Sequence, residues 1–135
     1  MKILVIDGQG GKLGKQLIEA LKENIPSAEI TAVGTNSIAT SAMLKAGAQN
    51  AATGENAVRV NAARADVITG PLGIVIADSL LGEISPAMAV AVGQSTAKKV
   101  LIPMNKCDNL VAGVSGGTVS ALIDDAVKKI LTLCE

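Results

Sequence analysis

The sequence contains no phenylalanine, tyrosine or tryptophan and no histidine. Without aromatic rings it has no stacking platforms for single-stranded nucleic acid. Without imidazole it has no histidine-based triad, no histidine metal ligand and no imidazole acid–base catalyst. Charge is scarce and balanced, with 12 Lys and Arg against 12 Asp and Glu, so no electrostatic footprint for nucleic acid or an anionic membrane appears. Nucleic-acid partners are therefore not expected. Cys107 and Cys134, the two cysteines, form neither a CxxC pair nor a disulfide framework. Lys2 is followed by only four apolar residues before Asp7, too few for a signal peptide. The apolar stretch from Leu72 to Gly93 is interrupted by Asp78, Glu83, Pro86 and several glycines, so it does not read as a membrane span. These readings point to a cytoplasmic protein without a metal centre or membrane partner.

What is present is apolar: 49% of the 135 residues are hydrophobic and 18% are charged, against roughly 25% charged in an average soluble protein. The length suits one domain spanning residues 1–135. A domain of this size has little interior for so much apolar surface, which implies a subunit interface. Pro86–Val92 (PAMAVAV), read as a helix, is apolar on every side. It is the segment expected to join two copies in a homodimer, with Ala89 and Ala91 at the contact.

Along the chain, strand-like and helix-like segments alternate. Lys2–Ile6 and Glu29–Val33 read as buried strands, and Leu13–Ile25 carries apolar residues at spacings of three and four. Asn36–Ala46 reads as a helix ended by Gly47. Glu55–Arg64 is ambiguous, because Val58–Ala62 alternates like a strand; a helix is favoured, since Val67–Thr69 then follows as the next buried strand. Val100–Ile102 reads as a strand and Leu110–Val114 as an edge strand. Val119–Leu131 shows the clearest helical periodicity, with acids before bases. The pattern predicts an α/β fold, a Rossmann-like, doubly wound, mostly parallel sheet with helices on both faces.

One motif carries chemistry. Directly after the first strand stands Asp7-Gly8-Gln9-Gly10-Gly11-Lys12-Leu13-Gly14, in which Gly8, Gly11 and Gly14 make a GxxGxxG spacing. The spacing resembles the phosphate-binding turn of Rossmann dinucleotide-binding domains. There the first glycine permits the tight turn, a second lets the backbone approach a pyrophosphate, and a third lets the helix pack on the sheet. Unpaired N–H groups at the helix N-terminus would meet the anion. The competing reading is a tight turn of small residues serving packing alone. A Walker A loop is excluded, since it would need glycine where Gln9 stands and Ser or Thr where Gln16 stands.

Two features depart from the dinucleotide pattern. Where an acid should take the ribose hydroxyls stands Gly34-Thr35-Asn36, with no carboxylate for NAD and no arginine for the 2′-phosphate of NADP. Thr35 and Asn36 either hydrogen-bond a sugar or phosphate or cap the second helix. Asp7, which would repel a phosphate, is open to an ion pair with Lys12, to a metal, or to capping the turn; the cap is favoured. Thr53–Asn56, Gly70-Pro71-Leu72-Gly73 and Asn105-Lys106-Cys107 also follow strands, where loops of a doubly wound sheet converge on one crevice. Asp78 and Glu83, five apart, would diverge on a helix and are weak catalytic candidates. Cys107 lacks a histidine to activate it and reads more simply as a small apolar residue, although Lys106 stands beside it. Ser115–Thr118 reads as the turn and cap of the last helix.

The candidate ligand-binding set is therefore Gly8, Gln9, Gly10, Gly11, Lys12, Leu13, Gly14, Thr35, Asn36, Gly70, Pro71 and Asn105. The expected partner is a phosphate-bearing small molecule, a nucleotide or dinucleotide such as NAD(P), held by a binding module with a regulatory role as one expectation. The alternatives are an NAD(P)-dependent oxidoreductase completed by a second subunit, and a structural assembly protein with an empty turn. Taken end to end, the segments KILVIDGQGGKLGKQLIE, GTNSIATSAMLKAGA, ATGENA, ADVITGPLGIVIADSLLGEISPAMA and KKVLIPMNKC resemble a family of small bacterial proteins classed as a domain of unknown function. That resemblance implies a compact Rossmann-like fold and no established substrate.

Overall fold

The computed structural model describes residues 1–103, 109–114 and 117–134. Five parallel strands form one sheet: β1 (Lys2–Asp7), β2 (Glu29–Gly34), β3 (Asn50–Thr53), β4 (Val67–Pro71) and β5 (Lys98–Ile102), in the order β3-β2-β1-β4-β5. The helices are α1 (Lys12–Asn24), α2 (Ser37–Lys45), α3 (Glu55–Ala62), α4 (Pro86–Gln94) and α5 (Val119–Leu133), with a short 3-10 turn at Leu72–Val75. This is the Rossmann-like α/β architecture expected from the sequence.

Strand alternation divides the core. Ile3 and Val5 of β1 point to one face, where α1, α2 and α5 bring Leu17, Leu21, Met43 and Ile130. Leu4 and Ile6 point to the other, where α3 and α4 bring Val58, Ala62, Met88 and Val92. Burial on both sides explains why β1 and β4 read as continuous apolar runs. The chain builds outward from β1 to β3, then returns to lay β4 on β1's other edge. The direction of winding therefore reverses between β1 and β4, which is where open α/β sheets form a crevice beyond the carboxyl ends of their strands.

Two local expectations are corrected, and a third is upheld. Residues 50–53 form a strand, β3, that the sequence reading did not assign; its side chains are small and only half-buried, and pairing with β2 defines it. Leu110–Val114 is not an edge strand. It has no sheet partner and holds a turn in which the Val114 N–H donates to the Val111 carbonyl, with Gly113 at φ 86°. The helix over 55–62 is real despite its alternating letters, because Val58 and Ala62, one turn apart, are both buried while Val60 is exposed.

α4 begins at Pro86, with the Ser85 hydroxyl capping the Met88 N–H. Its inward face holds Met88, Ala89 and Val92, while Val90 is 52% exposed. Ala89 thus belongs to the core and is corrected as an interface residue. Among the described residues, no helix is long and apolar enough to cross a membrane.

Candidate functional site

The strand-to-helix turn after β1 is built around Asp7. Its Oδ2 accepts from the Gly14 N–H at 2.7 Å, and its Oδ1 accepts from the Gly8 N–H at 2.8 Å. A carboxylate at the end of a strand thereby caps the helix that follows, taking one of the donors a helix start leaves unpaired. No described carboxylate lies within salt-bridge distance of Lys12, so the ion-pair role for Asp7 is not the one adopted. Burial is the main influence on Asp7 and lifts its carboxyl above the ordinary range. The Gly14 and Gly8 N–H groups pull it down, and the charge of Glu83 pushes it up.

The Gly11 N–H donates to the Gly8 carbonyl at 2.9 Å and closes the turn, with Gln9 at φ 51° and Gly11 at φ 74°. The glycines divide the work. A Cβ on Gly11 would stand 2.8 Å from the Ala39 Cα, and one on Gly14 would meet the Met43 sulfur and the Asp7 Cβ. Both therefore serve close packing against α2 and β1. Gly10 has open space where a Cβ would be, and it is the position at which a ligand can approach the backbone. Among the described residues, the N–H groups of Gly10, Lys12 and Leu13 have no hydrogen-bond partner.

A cavity of about 430 Å³ opens over this turn, within the range of small-molecule sites. Of the sequence-derived set, Gly8, Gln9, Gly10, Gly11, Lys12, Leu13 and Pro71 line it. Asp7, Gln16, Gly73, Leu80, Leu81 and Val119 complete the wall. A larger, shallower hollow of about 620 Å³ lies over α1 and α2 around Lys15, Ile38 and Lys45, and is lined by helix residues alone.

The remaining expected residues stand outside the cavity lining. Gly14 is a packing glycine. Gly70 is also one: a Cβ there would overlap the Ile6 carbonyl oxygen, so its absence lets β4 run close to β1. Asn36 caps α2 through its Oδ1, which accepts from Ala39 N–H at 2.8 Å. Asn105, with Lys106 and Cys107, lies outside the described residues. Thr118 caps α5, its hydroxyl accepting from the Ala121 N–H at 3.1 Å; Ser115 and Gly116, the start of the expected turn, lie outside the described residues.

Sequence reasoning set Glu83 aside as a weak catalytic candidate on a helix and missed its place beside the turn. It lies in no helix; it follows the turn after β4 and crosses to the end of β2. Its Oε1 accepts from the Gln9 N–H at 3.0 Å, the Thr35 hydroxyl at 2.6 Å and the Asn36 side-chain amide at 2.7 Å. Desolvation is the largest single influence on its carboxyl and raises it. The three donors together outweigh that, so it titrates below the ordinary range. A carboxylate is thus held beside Thr35 and Asn36 by a residue 48 positions from Thr35. The only sequence signal was its place in a loop that follows a strand at the crevice end. Among the described residues, no group of three or more acids and cysteines is placed to hold a metal.

The chain belongs to the DUF3842 family. That family, described as a domain of unknown function, matches residues 2–135, and so confirms the end-to-end resemblance read from the sequence. No curated protein matches this sequence. Among solved structures it is similar to a dodecameric FMN-dependent Ubix-like decarboxylase from Escherichia coli O157:H7. The two share 22% identity over 96% of this chain and 76% of the other, with a TM-score of 0.50. At that distance the likeness is one of fold.

Proposed function

We propose that this DUF3842 protein binds a phosphate-bearing, nucleotide-type small molecule, with the phosphate on the β1–α1 turn. The observation that carries the reading is the conjunction of a half-open cavity with unpaired N–H groups at Gly10, Lys12 and Leu13 among its lining residues. A helix start concentrates positive dipole there, and the Lys12 ammonium adds a full charge. Gly10 leaves the approach clear. FMN fits this chemistry: its phosphate suits the N–H floor, and its ring suits the apolar wall of Leu13, Leu80, Leu81 and Val119. That the fold neighbour is named FMN-dependent makes FMN the first ligand to try. Bound FMN would supply redox or adduct chemistry; the residues here supply phosphate binding, orientation and exclusion of water.

A dinucleotide is the second reading, and Glu83 is the observation in its favour. It sets a carboxylate at the end of β2, where dinucleotide sites hold an acid against ribose hydroxyls. NAD is then preferred over NADP, whose 2′-phosphate the carboxylate would repel. We further propose a single domain that assembles with copies of itself through the outer face of α4, where the apolar side chain of Val90 is left in water.

Calorimetric titration with FMN, NAD, NADP and sugar phosphates tests the reading, because the chain has no aromatic fluorescence to follow. Binding by the native protein and its loss in Gly10→Val is the expected result. Equal binding by both would move the site elsewhere.

A further inference from the structure

The segment that walls the cavity after β4 is strained in an unusual way. Asp78, Leu80 and Leu81 adopt φ of 65°, 55° and 57°, with Gly82 beside them at 89°. Left-handed backbone is disfavoured for L side chains, and a free surface turn fills such positions with glycine or asparagine. Leu81 is also 95% exposed. Nothing in the turn's own packing asks for a leucine there.

The strain is held from the base of the loop. The Asp78 N–H donates to the Ile84 carbonyl at 2.7 Å, and the Ile84 N–H returns to the Ser79 carbonyl at 3.2 Å. The Ser79 hydroxyl donates to the Gly73 carbonyl, and Glu83 is fastened to Gln9, Thr35 and Asn36. A rigid base therefore presents Leu81 at the tip, beside Leu80, on the rim of the same cavity whose other wall is Leu13 and Val119. The cavity has two chemically distinct ends, one of N–H groups and one of aliphatic side chains.

We infer that Leu81, with Leu80, is the ring-binding element of this site: it covers the flat, uncharged heteroaromatic ring of a ligand whose phosphate rests at Gly10 and Lys12. This deepens the reading given under Proposed function and rests on it. Covering the ring removes Leu81 from water, which accounts for an exposed leucine held where glycine would be less strained.

The test compares wild type, Leu81→Gly and Leu81→Ala by calorimetric titration with FMN and with ribose 5-phosphate, alongside melting temperatures of the free proteins. Leu81→Gly relieves the left-handed strain, so it melts above wild type when free. It binds FMN at least tenfold more weakly and ribose 5-phosphate unchanged. Leu81→Ala keeps the strained backbone and shows the same selective loss without the gain in melting temperature. FMN bound equally by all three proteins overturns the ring assignment alone, as does wild type binding FMN no more tightly than ribose 5-phosphate. Failure of both ligands to bind wild type overturns the phosphate reading and this inference with it.

Discussion

Glu83 Oε1 lies 2.6 Å from Thr35 Oγ1, joining the loop after β4 to the end of β2 across 48 residues of sequence. Asn36 and the Gln9 N–H complete the cluster, so one carboxylate oxygen ties together β2, the glycine turn and the cavity wall. Gly8 makes room for it: a Cβ there would stand 2.6 Å from the Thr35 hydroxyl oxygen and 3.2 Å from Glu83 Oε1.

This cluster predicts a pH signature. Glu83 is held below its ordinary value of 4.5, so its contribution to stability is full above that value and is lost as pH falls through the lowered one. Glu83→Gln is therefore less stable than wild type near neutrality, and the gap closes on acidification. Asp7 has the opposite sign. Its contribution is full below its ordinary 3.8 and declines as pH rises through the raised value. Denaturant unfolding of both proteins from pH 3 to 7 reads the difference; a gap that widens toward acid would refute the assignment.

Asp7→Ala removes both acceptors from the start of α1 and leaves the Gly8 and Gly14 N–H groups unpaired in a buried setting. A loss of about 1–3 kcal/mol is expected. Denaturant melts measure it, and a loss below about 0.5 kcal/mol would mean that Asp7 does not cap the helix.

The glycines of the motif separate by substitution. Gly11→Ala combines a left-handed φ with overlap on Ala39 and costs at least about 2 kcal/mol. Gly10→Ala meets open space and is near neutral in stability. Thermal unfolding of the two variants distinguishes them, and equal losses would contradict this division of roles.

Much of this was legible in the sequence because local signals and tertiary outcome agree. Lys2–Ile6 is apolar on both faces because β1 is covered on both, and the glycine spacing after it marks a turn that the structure builds. The periodicity of α5 survives as buried Ile123, Ala126, Val127 and Ile130. β3 was silent because Asn50-Ala51-Ala52-Thr53 offers no β-branched apolar residue; it is a strand by virtue of its neighbour. Glu83 was illegible for a different reason. Its meaning lies in three partners 74, 48 and 47 residues away, which no local window contains. Asn36, by contrast, was read with two roles left open and fills one of them, the cap on α2, while its amide also holds Glu83.

The surface of α4 predicts how copies meet. Val90→Glu, at a half-exposed position, leaves the fold intact and separates the subunits, whereas Ala89→Glu, 8% exposed, destabilises the subunit itself. Light scattering with a parallel thermal melt reads both. A wild-type monomer at every concentration would defeat the assembly claim.

Whether the cavity over the β1–α1 turn holds a phosphate-bearing ligand is read directly by native mass spectrometry of the purified protein, before and after incubation with FMN, NAD and sugar phosphates. The expected result is an added ligand mass that disappears on denaturation and is absent from Gly10→Val. A bare polypeptide mass under every condition, or the same added mass on Gly10→Val, would contradict it.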